Sequence, residues 1–311
     1  IALVVLMLLR PQGLWPARPR RPMLPASGMA DGSAVPEPTH GTAGEILLDV
    51  RDLRRFFGGV RAVNDVSFDV RRGEILSIIG PNGAGKTTMF NCLTGIVRPS
   101  GGAVVWHGRS IVGMRPHAVV HRGLARTFQG IRLFADMTAF ENVLVGGDHR
   151  FRASVLAEFI GWPSARAEQG RHVTEALGWL DFVGLGARGP EHAGDLPYGD
   201  QRRLEIARAL AAGPALLLLD EPAAGMNPTE KHALTRLIRR IRDIGVTVLL
   251  IEHDMMLVMG VSDRIVVMDH GGVIAQGNPA EIQRNPRVID AYLGTAEDAA
   301  APAEQEPAWD S

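Results

Sequence analysis

The residues best suited to chemistry stand together at Gly80-Pro81-Asn82-Gly83-Ala84-Gly85-Lys86-Thr87-Thr88. They fit the pattern G-x-x-x-x-G-K-[ST]. Glycines let such a loop turn its backbone N–H groups onto phosphate oxygens with no Cβ in the way. A helix starting at its end adds partial positive charge facing the anion. Lys86 is placed to reach the β- and γ-phosphates, and the Thr87 hydroxyl to sit on Mg²⁺. A plain glycine turn accounts for neither Lys86 nor Thr87. The stretch reads as a nucleoside-triphosphate site formed by residues 80–88.

A second group lies at Leu216-Leu217-Leu218-Leu219-Asp220-Glu221-Pro222. An aspartate closing a buried apolar strand beside a phosphate loop is where an NTPase holds its Mg²⁺. Glu221 points the other way if strand geometry continues, towards the γ-phosphate, where a carboxylate can polarise an attacking water. A third group runs from Leu196 to Leu210, where a glycine turn, Tyr198-Gly199-Asp200, feeds directly into a helix. That makes a second helix N-terminus able to face an anion.

These groups need elements to hold them. Glu74–Ile79 reads as a short buried strand, and residues 86–97 have the composition of a helix. Before them, 46–53 and 62–70 read as strands; Val66, Phe68 and Val70 alternate, and Phe56-Phe57-Gly58-Gly59 makes the turn between. Gly101–Trp106 starts another strand, and 123–129 leads to a polar junction at Gln129. Residues 131–196 change character: Val173, Ala176, Leu177 and Leu180 follow helical spacing, suggesting a helical insertion or subdomain of about 131–212. Further strands are read at 215–219, 246–251, 264–268 and 272–276. A helix carries Leu234, Leu237, Ile238 and Ile241 on one face, and a closing helix runs to Gly294. Strands alternating with helices around a phosphate loop predict an α/β fold, a P-loop NTPase with a mainly parallel core sheet.

In order, the phosphate loop, Gln129, the turn-helix, the LLLLDEP strand and Ile251-Glu252-His253-Asp254 resemble ATP-binding-cassette (ABC) ATPases. Thr127-Phe128-Gln129, Arg132-Leu133-Phe134, Met137-Thr138, Glu141-Asn142-Val143-Leu144 and Ala223-Ala224-Gly225-Met226-Asn227-Pro228 resemble one branch more closely. That branch is the LivG-type ATP-binding subunit of high-affinity branched-chain amino acid importers. The likeness covers about residues 46–294. It implies a core with an antiparallel β subdomain and a helical subdomain, and the cofactors ATP and Mg²⁺. It implies that Phe57 stacks on adenine, that Gln129 touches Mg²⁺ and the attacking water, and that His253 contacts the γ-phosphate. The catalytic set is then Lys86, Gln129, Glu221 and His253, with Thr87, Gln129 and Asp220 at the metal. Tyr198, Gly199 and Asp200 close over the ATP of a second subunit, so the active unit is a head-to-tail dimer. The implied partners are that second ATPase subunit, LivH/LivM-like permease subunits and, indirectly, a periplasmic binding protein; the place is the cytoplasmic face of the inner membrane. Two departures stand out: Pro197 replaces the usual serine of the signature turn, and Asn227 replaces a common aspartate. Urea, amides or exported lipid remain alternative cargoes, since this subunit does not touch the cargo.

With 46% hydrophobic and 22% charged residues among 311, the chain has ample core, and a net charge of −1 argues against a nucleic-acid surface. That weakens the other alternative, a soluble ABC protein acting on nucleic acid. The single cysteine, Cys92, falls among apolar residues of the first helix and reads as a core thiol. Residues 1–9 are apolar, and Arg10, Arg18, Arg20 and Arg21 follow with no initiator Met before Ile1. Residues 1–16 resemble the cytoplasmic end of a LivM-type permease, so residues 1–21 are expected to be a permease remnant, from a fusion or from a reading frame whose true start is Met29; a plain low-complexity extension is the alternative. Residues 22–45 read as a linker and 295–311 as a disordered acidic tail.

Overall fold

A computed structural model describes residue 42 and residues 44–150 and 163–293. The expected permease remnant, most of the linker and the acidic tail lie outside the described residues.

Two sheets form the frame. The strands β1 (Ile46–Phe57), β2 (Val60–Arg71), β4 (Gly101–Trp106) and β5 (Arg109–Ser110) make an antiparallel sheet in the order β2-β1-β4-β5. The second sheet has the order β10-β9-β3-β8-β7-β6. Its members are β3 (Ile75–Ile79), β6 (Leu124–Arg126), β7 (Leu216–Asp220), β8 (Thr247–Ile251), β9 (Arg264–Asp269) and β10 (Gly272–Gly277). All are parallel except β10, which returns antiparallel beside β9. The expected mainly parallel core with an antiparallel β subdomain is what forms.

Strands β3, β7 and β8 are buried at every residue, as strands covered on both faces must be. Alternation then sorts their side chains into two cores. Leu76, Ile78, Leu216, Leu218, Leu249 and Ile251 face helix α1 (Lys86–Leu93) and the antiparallel sheet. Ile75, Leu217, Leu219, Val248 and Leu250 face the helical layer. Helix α2 (Pro116–Val120) precedes β6 and buries Val119 in the first of these cores, and between β6 and β7 the helical layer holds α3 (Ala139–Gly147), α4 (Pro163–Phe182) and α5 (Tyr198–Ala211). Thr138 opens α3 with a capping box to Glu141, and Ala176 and Leu180 of α4 are buried as their spacing predicted. Helix α6 (Pro228–Asp243) buries Leu234, Leu237, Ile238 and Ile241 and keeps Arg236, Arg239 and Arg240 exposed.

Local boundaries differ from expectation at three places. Phe56 and Phe57 belong to β1 itself, paired with Arg61 and Val60, so the turn is confined to Gly58-Gly59. Helix α1 stops at Leu93, where the Thr94 hydroxyl bonds back to the Phe90 carbonyl at 2.8 Å. The closing helix is two pieces, α8 (Pro279–Gln283) and α9 (Pro286–Leu293), because Pro286 cannot continue a helix from before it; helix α7 (Met255–Val261) precedes them. Cys92 is a core thiol, 5% exposed, and burial pushes it up to about 11. Among the described residues, no helix is long and apolar enough to cross a membrane.

Candidate functional site

Parallel strands deliver all their C-terminal ends to one edge of a sheet, and ligands of open α/β sheets bind there. Here the register sets Ile78 beside Ile251, Ile251 beside Asp220, and Arg126 beside Leu218. The loops after β3, β6, β7 and β8 therefore leave the same edge. They carry residues 80–85, Gln129, Glu221 and His253.

The phosphate loop closes on its own lysine. Lys86 is only 8% exposed, and its Nζ donates to the carbonyls of Gly80 at 2.7 Å and Pro81 at 2.8 Å. Burial pushes its ammonium below the ordinary lysine range, while the nearby Glu221 and Asp220 carboxylates pull it back up. A buried cation held by backbone carbonyls has a ready use once phosphate oxygens are near. Thr87, one residue on, is exposed at the start of α1, and Thr88 follows it.

Asp220 ends β7, 1% exposed. Its Oδ2 accepts from the Arg126 guanidinium at 2.7 Å, and its backbone N–H donates to Thr127 Oγ1 at 3.4 Å. Among the described residues its Oδ1, which is buried, has no hydrogen-bond partner. A buried, unpartnered carboxylate oxygen is costly unless something binds it. A divalent cation between Asp220 and the phosphate loop satisfies that need, so the residues present fit Mg²⁺.

Glu221 departs from the expected strand geometry. Its φ is +47°, so the chain turns sharply after Asp220, and the alternation that would have aimed Glu221 no longer applies. The turn nonetheless brings its carboxylate into the group: Gln129 Nε2 donates to Glu221 Oε2 at 3.0 Å, and His253 Nδ1 lies 4.0 Å from the same oxygen. The neighbouring Glu252 is fully buried and accepts the N–H groups of Ala223 at 2.7 Å and His253 at 3.1 Å. Burial raises its carboxyl above the usual range, and those N–H groups pull it down. It ties the loop after β7 to the loop after β8.

The turn before α5 is built separately. The Arg202 guanidinium, 4% exposed, donates to the Phe128 carbonyl at 2.9 Å, to the Gln129 carbonyl and to the Tyr198 hydroxyl at 3.0 Å. Tyr198 and Gln129 are therefore held through one side chain. Asp200 turns its carboxylate to Arg188 at 2.8 Å and to Arg203, so any contact with a nucleotide falls to the backbone here. Its N–H already donates to the Pro197 carbonyl at 2.9 Å. That leaves the N–H groups of Tyr198 and Gly199 as the first-turn donors without an intrahelical acceptor. Phe57 stands at the β1–β2 hairpin, 45% exposed, with the Arg55 guanidinium 4.2 Å from its ring centre. An aromatic left this open is not core packing.

Pro197 is the N-cap of α5 with φ −55° and ψ 151°, and it supplies no side-chain cap. Serine adopts the same angles, and its hydroxyl can cap the Gly199 N–H for a gain of about 0.5–2 kcal/mol. Against that stands the loss of about 0.4–1 kcal/mol of proline's restriction on the unfolded chain. Pro197→Ser is expected to change the melting temperature little and to keep the ATPase rate within about twofold. A several-fold rise in steady-state ATPase rate would show that the missing hydroxyl limits the reaction.

Arg126 has no sequence signature, and the stretches that contain Arg202 and Glu252 do not reveal the contacts these two make. The available signal was a charged residue at the end of a buried apolar strand or on the buried face of a helix.

Comparison with known proteins places this geometry. The ABC transporter family model matches residues 63–224, and the branched-chain amino acid ATP-binding cassette transporter model matches residues 273–298. The high-affinity branched-chain amino acid transport ATP-binding protein LivG of Salmonella typhimurium is 48% identical over 251 residues, 80% of this chain and 98% of that protein. BraF of Pseudomonas aeruginosa, named for the same transport, is also 48% identical over 251 residues, with the same coverage. Among solved structures, the ADP conformation of MJ1267, an ATP-binding cassette of an ABC transporter, superposes with a TM-score of 0.70. It shares 31% identity and covers 80% of this chain and 99% of its own.

Proposed function

From the premise that this chain belongs to the ABC transporter family, as an ATPase of its branched-chain amino acid branch, we propose the following division of labour. Lys86 and the backbone of residues 80–88 bind the triphosphate, and Phe57 offers the exposed face of its ring to adenine. Thr87, Asp220 and Gln129 hold Mg²⁺, which when bound offsets charge on the phosphate oxygens. Glu221 takes the proton of the attacking water. Gln129 fixes one oxygen of that carboxylate, and His253 stands where it can bind the γ-phosphate and orient the same water. The observation that carries this reading is the convergence of Gln129 and His253 on Glu221 Oε2, at 3.0 and 4.0 Å.

Such a site is half of a whole. Tyr198, exposed, and Gly199, buried, open a helix N-terminus that no side chain caps, which supports a head-to-tail dimer in which each turn, Asp200 included, closes over the partner's ATP. Permease docking is supported by a groove of about 280 Å³ lined by Phe134, Val145, Arg208 and Ala209. Phe134 is 48% and Val145 43% exposed there, and Arg208 lies 5.8 Å from the Phe134 ring. LivH/LivM-like permeases fit, with a periplasmic binding protein acting through them. The subunit then sits peripherally on the cytoplasmic face of the inner membrane.

Branched-chain amino acid import is the function this supports. Reconstituted with the cognate permeases and binding protein in vesicles, the chain is expected to drive leucine uptake that requires ATP. Uptake of urea or an amide in place of leucine would overturn the cargo and leave the ATPase intact.

A further inference from the structure

Arg126 is a charged residue set deep in the fold. It ends β6, its side chain is 6% exposed, and the Asp220 side chain it meets is 2% exposed. One guanidinium nitrogen donates to Asn91 Oδ1 at 2.8 Å and Thr94 Oγ1 at 3.1 Å; the other donates to Asp220 Oδ2 at 2.7 Å. The rings of Phe90 and Phe128 lie 5.5 and 5.3 Å from its centre. The planar fork thus donates to Asn91 of α1 and to Thr94 just past its end, and is flanked by two aromatic rings. Fixed in this way, it occupies one oxygen of Asp220 and leaves Oδ1 buried without a partner among the described residues.

A carboxylate held like this has one oxygen to give. That restriction discriminates between cations. Ca²⁺ takes six to eight oxygens and accepts a carboxylate through both, whereas Mg²⁺ demands a tight octahedron with single-oxygen ligands. We infer that Arg126 is a positioning residue that confines Asp220 to one-oxygen ligation and so makes the nucleotide site prefer Mg²⁺ over Ca²⁺. This rests on the reading of Asp220 as a ligand of the nucleotide's cation.

The test is metal-dependent binding of a fluorescent, non-hydrolysable ATP analogue, with Mg²⁺ or Ca²⁺ as titrant. In Arg126→Met, whose apolar side chain can replace the guanidinium beside Phe90 and Phe128, the Ca²⁺-to-Mg²⁺ ratio of midpoints is expected to fall about tenfold, mostly through tighter Ca²⁺. Asn91→Ala removes one of the acceptors that aim the guanidinium and so loosens its hold on Asp220 Oδ2, and the ratio should fall in the same direction by about two- to threefold. If Arg126→Met does not fold, Asn91→Ala decides. A residue serving only stability would shift both midpoints by one factor, and an unchanged ratio overturns the inference. Asp220→Ala separates the two layers. If it keeps the metal dependence, Asp220 is no ligand and the underlying reading fails. If it loses the dependence while the ratio is untouched in the other variants, the inference about Arg126 alone fails.

Discussion

Glu221→Gln is expected to bind ATP as tightly as the unaltered chain and to hydrolyse it at least about a hundredfold more slowly, the usual contribution of a positioned general base. The substitution keeps the size and planar shape of the side chain and removes only its capacity to take a proton. Lys86 keeps its place because its contacts run to the Gly80 and Pro81 carbonyls, and Asp220 keeps its bond to Arg126. Gln129 loses a charged acceptor, but an amide oxygen at the same position can still accept from Nε2. Binding without turnover traps the closed state, so an ATP-dependent dimer should accumulate on gel filtration while phosphate release falls. Normal phosphate release would remove Glu221 from the role of base. Slow release without any dimer would leave the base in place and count against the proposed head-to-tail closure.

Much of this site was legible because its parts are short, local and ordered along the chain. A phosphate loop needs a strand before it and a helix after it, and residues 74–93 supply both within one continuous stretch. The four leucines before Asp220 marked a strand buried on both faces, which is what β7 is. What could not be read is how partners far apart in sequence meet. Arg126 and Asp220 are 94 residues apart, and Gln129 and Glu221 are 92 apart. No periodicity links such pairs; only the parallel order of β6, β7 and β8 brings them to one edge. The aim of Glu221 was reasoned from strand alternation, and the chain leaves that geometry one residue too soon. Its carboxylate reaches the site through a left-handed turn that no pattern in Asp220-Glu221-Pro222 announces. The outward placement of Phe57 has no sequence signal of its own, because Phe56 stands beside it and either aromatic could be the buried one. Pairing with Val60 across the hairpin leaves Phe57 open.

Gly85→Ala is expected to lower both stability and nucleotide affinity, and far more than Gly83→Ala lowers stability. Both glycines have positive φ, +94° and +83°, so alanine at either costs about 1–2 kcal/mol of backbone strain. Space separates them. A Cβ at Gly83 meets nothing within 4 Å, whereas one at Gly85 would lie 2.1 Å from the Ala62 carbonyl oxygen. That oxygen cannot easily withdraw. Its strand pairs with β1, Asn64 N–H is bonded to the Gly271 carbonyl at 2.8 Å, and Gly271 N–H to the Ala84 carbonyl at 3.2 Å. The loop itself must move, taking with it the carbonyls that hold Lys86 and the start of α1, whose Met89 N–H bonds to the Gly85 carbonyl at 2.9 Å. Strain and displacement together are set at about 3 kcal/mol or more. In a domain of this size that is a fall of roughly 6–12 °C in melting temperature. Whatever part of that energy the free loop escapes by moving is lost from binding instead, up to about a hundredfold in ATP affinity. Thermal melts without nucleotide, run on both variants, separate steric from conformational cost, and titration with a fluorescent ATP analogue reads the affinity of Gly85→Ala. Equal melting temperatures for the two variants would show that the contact with Ala62 yields freely, and that the loop tolerates a Cβ at this crowded turn.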